Sequence, residues 1–285
     1  MTANFDKGVK AYEVGDGETA KASLMSLAEL GHSSVQFALA ELLTYEKDFS
    51  DNFQTAIKWY TKAAEQGHTD AQYKLGRAYR VGLGVQRNEI SALKWCTLAA
   101  QQGHIEAQYS VGFVYSRGSG VPKNLEAGLM WFALAGEQGH TKAQCILGNI
   151  YLNGEGVAQN YKIALKWHSL AAEQGCTHSQ IHLGNMYNHG LGVPQSSKTA
   201  HDLFTKAAKQ GYAEAQLNLA FMYRNGKGVP QHYLRAYMWS SLSSYNGSKR
   251  GHGGRDAIAK LLGSAQVVEA QEMSLLCLES NYTDC

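Results

Sequence analysis

Eleven histidines and five cysteines are the side chains of this 285-residue chain best suited to hold a metal or to act as nucleophiles. Four of the histidines, His32, His68, His104 and His140, recur every 36 residues, each directly after a glycine. A residue that keeps time with a frame is part of that frame, and contact with the next helix N-terminus is enough to account for these four. His178 and His182 are better candidates. Spaced i, i+4, they share a helix face, with His168, His189 and His201 nearby in sequence and Cys176 two residues before His178. Zinc needs converging ligands, and neither Cys-x2-Cys nor His-Glu-x2-His occurs. The expectation is an exposed polar pair, with no metal and no cofactor.

Other chemistry is equally sparse. Gly251-His252-Gly253-Gly254-Arg255, preceded by Lys249 and Arg250, has the composition of an anion nest ahead of a helix. It follows no predicted strand and has no phosphate-loop spacing, so Ser248 to Gly254 reads as a flexible polar link. No Gly-x-Ser-x-Gly elbow occurs. The cysteines (Cys96, Cys145, Cys176, Cys277, Cys285) occupy different positions of the frame, an odd and scattered set that suggests reduced thiols. Cys277 and Cys285 are the exception, eight apart around Asn281 where a helix would end, and their bridge would require an oxidising compartment. Nothing selects a reaction, and the chain reads as no enzyme.

The frame itself is the strongest signal. Glycine recurs at Gly31, Gly67, Gly103, Gly139, Gly175, Gly211 and Gly247, an unvarying interval of 36 residues that identifies a repeat array. Trp59, Trp95, Trp131, Trp167 and Trp239 each lie eight residues before one of these glycines, and Leu203 stands where a sixth would be. Hydrophobic residues make up 44% and charged residues 18%, which suits a folded chain and excludes the composition of disorder. A net charge of +2 is too small to draw nucleic acid to the surface. No apolar run approaches the roughly 18 residues of a membrane span. The N-terminus shows no basic and apolar leader, so the expected compartment is cytoplasmic, with export as the alternative if a leader has been removed.

Within one window, Ala71, Leu75, Ala78 and Tyr79 fall at i, i+4, i+7 and i+8, one apolar stripe of a helix A over residues 69–80. Gly82 and Gly84 break it. Asn88 then stands as N-cap of a helix B over residues 89–102, whose inner face carries Ala92, Trp95 and Ala99, and Gly103 ends it in the left-handed conformation. The N-cap position reads Asp16, Asn52, Asn88, Asn124, Asn160, Ser196 and His232 through the chain. Gly76, Gly112, Gly148 and Gly184 interrupt helix A at about 1 kcal/mol each, which close approach of the neighbouring helix, with the Trp ring covering the gap, would explain.

The pattern Ala71-x3-Leu75-Gly76-x2-Tyr79-x2-Gly82-x-Gly84-Val85, then Ala92-x2-Trp95-x3-Ala99-Ala100-x2-Gly103, resembles the Sel-1-like repeat family, relatives of tetratricopeptide repeats. The resemblance covers about residues 31–247 as six windows. It implies an all-α fold, an α/α solenoid forming a right-handed superhelix of antiparallel helix pairs. It also implies a scaffold for protein complexes, often in bacterial signalling, envelope biogenesis or host interaction, and no shared catalytic residues. A cysteine-rich branch is associated with β-lactam hydrolysis, but that branch carries cysteines in every repeat and this chain does not. Residues 1–30 read as an N-terminal cap, in which Asp16, Ala20 and Ala28 keep the register, and residues 248–285 as a linker and C-terminal cap. The last helix carries Val267, Val268, Leu275 and Leu276. The window from 31 to 67 has Glu46, Asp48 and Phe49 in place of Gly-x-Gly-Val, so its loop should differ.

Function is sought where the frame does not dictate the residue. In helix A the seventh residue after each glycine reads Ala38, Lys74, Ser110, Ile146, His182, Asn218, and the tenth reads Glu41, Arg77, Phe113, Asn149, Asn185, Phe221. Positions three apart share a helix face. In the related superhelices helix A lines the concave surface, so these residues should face a bound protein segment, with Phe113, Phe221 and Arg77 as anchors. The partner expected is a protein, with a small-ligand or glycan receptor as the alternative.

Overall fold

The computed structural model describes residues 10, 11, 14, 17–45 and 49–285. Among the described residues there are fifteen helices and no strand. The chain divides into two compact units, Met1–His140 and Thr141–Cys285. The first unit holds α1 (Gly17–Glu29), α2 (Ser33–Tyr45), α3 (Phe49–Glu65), α4 (Thr69–Val81), α5 (Glu89–Gln101), α6 (Ile105–Arg117) and α7 (Leu125–Glu137). The second holds α8 (Thr141–Asn153), α9 (Tyr161–Glu173), α10 (Thr177–His189), α11 (Ser197–Ala208), α12 (Ala213–Asn225), α13 (Tyr233–Tyr245), α14 (Lys249–Ala259) and α15 (Ser264–Glu279). Within each unit consecutive helices pack on one another.

Helix limits follow the capping chemistry. Asn88, Asn124, Asn160 and Ser196 each accept a hydrogen bond from the third amide of the helix they open, and His232 does the same through Nδ1. Helix A ends where Gly82, Gly118, Gly190 or Gly226 turns left-handed and its amide reaches back into the last turn. One expected cap is corrected: α3 begins at Phe49, which puts Asn52 inside the helix. Asp16, Glu46 and Asp48, and with them the first cap and the first inter-helix loop, lie outside the described residues.

Small residues bring the helices together. A Cβ added at Gly112 would stand 2.8 Å from Phe132 Cδ1, and Gly148 and Gly184 face His168 and Phe204 in the same way. The interior glycines therefore admit a side chain of the paired helix B, as expected, but that side chain follows the tryptophan position and is not the tryptophan. Phe132, His168 and Phe204 are fully buried, whereas Trp131 is only half-buried. A helix has two inward-facing neighbours where the sequence pattern suggests one, and the residue nearer the paired helix fills the gap.

The buried polar residues form an ordered relay. Gln72 Nε2 donates to the Ala64 carbonyl at 3.1 Å, Gln102 Nε2 donates to Gln72 Oε1 at 2.7 Å, and Thr69 Oγ1 donates to Gln102 Oε1 at 2.9 Å. The bond to the carbonyl recurs at Gln36, Gln108, Gln180 and Gln216, each reaching back eight residues. Gln138 to Gln108, Gln174 to Gln144, Gln210 to Gln180 and Asn246 to Gln216 repeat the second bond.

The ends depart from the expectation twice. The segment read as a flexible link, Ser248 to Gly254, is instead the start of α14, capped by Ser248 Oγ accepting from the Gly251 amide at 3.1 Å. Glycine is used there for space, since a Cβ at Gly251 would meet the Ser244 amide at 2.7 Å. In α15 the buried face is Ala270, Ser274 and Cys277, while Val268, Leu275 and Leu276 are exposed. At the other end α1 buries Ala20, Leu24, Leu27 and Ala28.

Replacing Phe132 by Ala is expected to cost about 3–5 kcal/mol in urea denaturation, because a fully buried ring leaves a cavity. Trp131→Ala should cost clearly less, and the reverse order would contradict the packing described.

Candidate functional site

Two of the histidines that follow the repeat glycines, His68 and His104, are helix caps. His68 Nδ1 and His104 Nδ1 accept from the amides of Ala71 and Ala107 at 3.3 and 3.2 Å. A ring whose Nδ1 accepts carries its proton on Nε2, and His104 Nε2 lies 3.4 Å from Asp70 Oδ1, where it can donate. The rings of His68 and His140 also stack on Phe37 and Tyr109, and that of His104 lies tilted against Tyr73.

Cys145 and Cys176 occupy the two positions of that ring pair in the second unit. Their sulfurs meet across a Cα–Cα distance of 7.6 Å, wider than the roughly 4.4–6.8 Å usual for a bridge, and Cys145 Sγ lies 3.1 Å from Ser179 Oγ. Cys277 and Cys285 form a disulfide with a Cα–Cα distance of 4.9 Å. This is the pair that the sequence set apart from the scattered thiols. Cys96 is a free, buried thiol, pushed up to about 11 by burial and hence unreactive at neutral pH.

The His178–His182 pair is not the exposed pair expected. His178 is exposed, with its ring edge-on to Tyr212, but His182 is half-buried and stacked on His168 of α9 at 4.9 Å. Burial lowers His182, Glu214 opposes this and His178 adds to it. His168 is fully buried, with Nδ1 3.1 Å from Ser179 Oγ and Nε2 unpartnered, and burial together with His182 pushes it down to about 3. Among the described residues no three His, Cys, Asp or Glu side chains converge as a metal site.

The helix A positions expected to face a partner are divided between the two units. In the first unit Glu41 accepts from Tyr60 Oη and from Lys74 Nζ, the latter at 2.8 Å, and these three tie α2, α3 and α4 together. Arg77, one turn on, is exposed and pairs with no carboxylate among the described residues; its guanidinium lies 5.9 Å from the Tyr73 ring. Beside them Thr44, Phe53, Ile57, Lys74, Arg77 and Leu83 line a cavity of about 180 Å³. Ser110 is buried and serves packing, not contact, which corrects its place in the row. Phe113 is half-buried between Tyr109 and Arg117, whose guanidinium sits 4.4 Å over its ring. In the second unit Ile146, Asn149, His182, Asn185 and Asn218 are half-buried, and Phe221 is exposed. Asn149 Oδ1 and Asn218 Nδ2 are buried without a hydrogen-bond partner.

The architecture defines an all-α protein of tandem helix hairpins with a variable helix face and no converged reactive centre among the described residues. The model for the Sel1 repeat matches residues 33–68, 69–104, 105–140, 141–176, 177–212 and 213–248, and the chain belongs to that family. Its solved relatives include a Sel1 repeat protein from Oxalobacter formigenes, 30% identical with a TM-score of 0.70, covering 85% of this chain and 98% of that one. A protective antigen of uropathogenic Escherichia coli strains with an SLR fold is 25% identical with a TM-score of 0.61, covering 98% of this chain and 69% of that one. Comparison with the curated proteins finds no match. Sel1 repeat proteins are generally non-catalytic scaffolds for protein interaction.

His168 generates a pH dependence. Its folded form resists protonation down to about pH 3, while the unfolded side chain takes a proton near its ordinary value of 6.5. The unfolded state therefore binds more protons between those limits, and stability falls as pH drops from 6.5 toward 3, by at most about 1.4 kcal/mol per pH unit from this residue. His168→Phe, the residue the frame carries at positions 132 and 204, should flatten the urea midpoint against pH over that range; an unchanged slope would contradict it. Iodoacetamide in denaturant should leave Cys277 and Cys285 unlabelled until a reductant is added, and labelling of both without reductant would contradict their bridge.

Proposed function

We propose that this chain is a noncatalytic adaptor that binds a segment of a partner protein along the exposed faces of its helix A elements. The carrying observation is Phe221, an apolar ring left 44% exposed on α12 at a position the repeat frame does not dictate. Arg77, without a carboxylate partner among the described residues, is its counterpart in the first unit. Large aromatic and arginine side chains are the usual anchors of protein interfaces. In the second unit Ile146, Asn149, His182, Asn185 and Asn218 supply a half-buried surround; in the first, Lys74 is half-buried and Phe113 contributes only its accessible edge. The disulfide at the C-terminus supports an oxidising compartment over the cytoplasmic one read from the sequence.

Affinity capture from a native lysate should recover a protein that Arg77→Glu/Phe221→Ala loses while keeping the parent's helical circular dichroism. If parent and variant recover the same proteins, the helix A face is not the binding surface.

A further inference from the structure

The last repeat departs from the frame in two places at once, and the departures meet. At the position where the preceding repeats fill the space against helix A with Phe132, His168 and Phe204, α13 carries Ser240. At the position where they carry Tyr73, Tyr109, Cys145, Ile181 and Leu217, α14 carries Gly253, beside which there is open space. Between α12, α13 and α14 this leaves a cavity of about 270 Å³. Its apolar walls include Leu217, Phe221, Ala257 and Ile258, and Arg224 and Arg250 also line it. Neither guanidinium pairs with a carboxylate among the described residues, and the Ser240 hydroxyl, itself buried, has no hydrogen-bond partner.

We propose that this cavity is a binding site for a carboxylate carrying an apolar group of about leucine size. The guanidinium fork matches a carboxylate, and the truncated side chains make room for the apolar group, whose burial supplies affinity. The glycine-rich run 251–254, unexplained as a link, has a use here: it lets α14 pack closely on α13 while leaving one position open. The site shares Phe221 with the proposed helix A interface, but its test runs through Arg224, Arg250 and Gly253, which are not part of that proposal.

The same chemistry is presented by a free branched-chain acid and by the C-terminus of a polypeptide. Isothermal titration of the full chain should therefore use 4-methylpentanoate, N-acetyl-Ala-Ala-Leu with a free carboxylate, and that peptide as its amide. Saturable binding of one or both acids, at least about tenfold weaker for the amide and for Arg224→Gln/Arg250→Gln, is expected. Which acid binds tells the two sources apart. Gly253→Leu restores the apolar side chain of the other repeats, should preserve the fold, and should abolish binding by filling the cavity. No binding by either acid, or equal binding by the amide or by the Gly253→Leu protein, would overturn the proposal. Because these variants leave Arg77 and Phe221 intact, failure here does not bear on capture of a protein partner.

Discussion

A buried glutamine that must find its hydrogen bonds at a distance fixed along the chain is the constraint on which the architecture depends. Gln72 spends its amide on a carbonyl eight residues back and its oxygen on Gln102, thirty residues ahead, which in turn accepts from Thr69. The first bond joins α4 to α3 and the other two join α4 to the end of α5, so the relay sets the height of helix A on the helix B before it and of the next helix B on helix A. Losing one partner strands a buried donor or acceptor at about 1–3 kcal/mol. A residue inserted within helix A or helix B between the bonded positions would turn a glutamine off its partner. The unvarying 36-residue interval is the sequence record of that geometry.

The close helix approach that the relay requires is met by glycine in helix A, and the space so opened is filled by the buried residue after the tryptophan position. Two faces of each helix are thereby committed, one to the relay and one to the paired helix. The remaining face of helix A is left to vary, which is why Lys74, Ile146 and His182 can occupy one position in turn. The C-terminal repeat shows the same rule from the other side: Ser240 and Gly253 withhold the filling side chains and a cavity appears.

Period, helix limits and most caps were legible in the sequence, because glycine breaks and Asn or Ser caps act locally on the residues beside them. The relay was not, although Gln36, Gln72, Gln108, Gln144, Gln180 and Gln216 stand in plain register. A polar residue on an amphipathic helix reads as surface unless its partner, thirty residues away, is known. The pattern marks Trp131 and not Phe132, because tryptophan recurs while the filling residue after it changes from repeat to repeat. The run 251–254 read as a linker because glycine's poor helix propensity outweighs, in sequence, the close packing that makes it necessary. Of the helix A row, Arg77 and Phe221 are exposed; the burial of Ser110 follows from neighbours the pattern does not contain.

The measurement that tests the relay most directly is a double-mutant cycle on Gln72 and Gln102, each replaced by Ala singly and together, read by urea denaturation. If the two glutamines act as one bonded unit, the double variant should lose less than the sum of the single losses, with a coupling of about 0.5–3 kcal/mol. Additive losses would mean that packing alone holds the repeats in register and would contradict the glutamine relay as the constraint that fixes it.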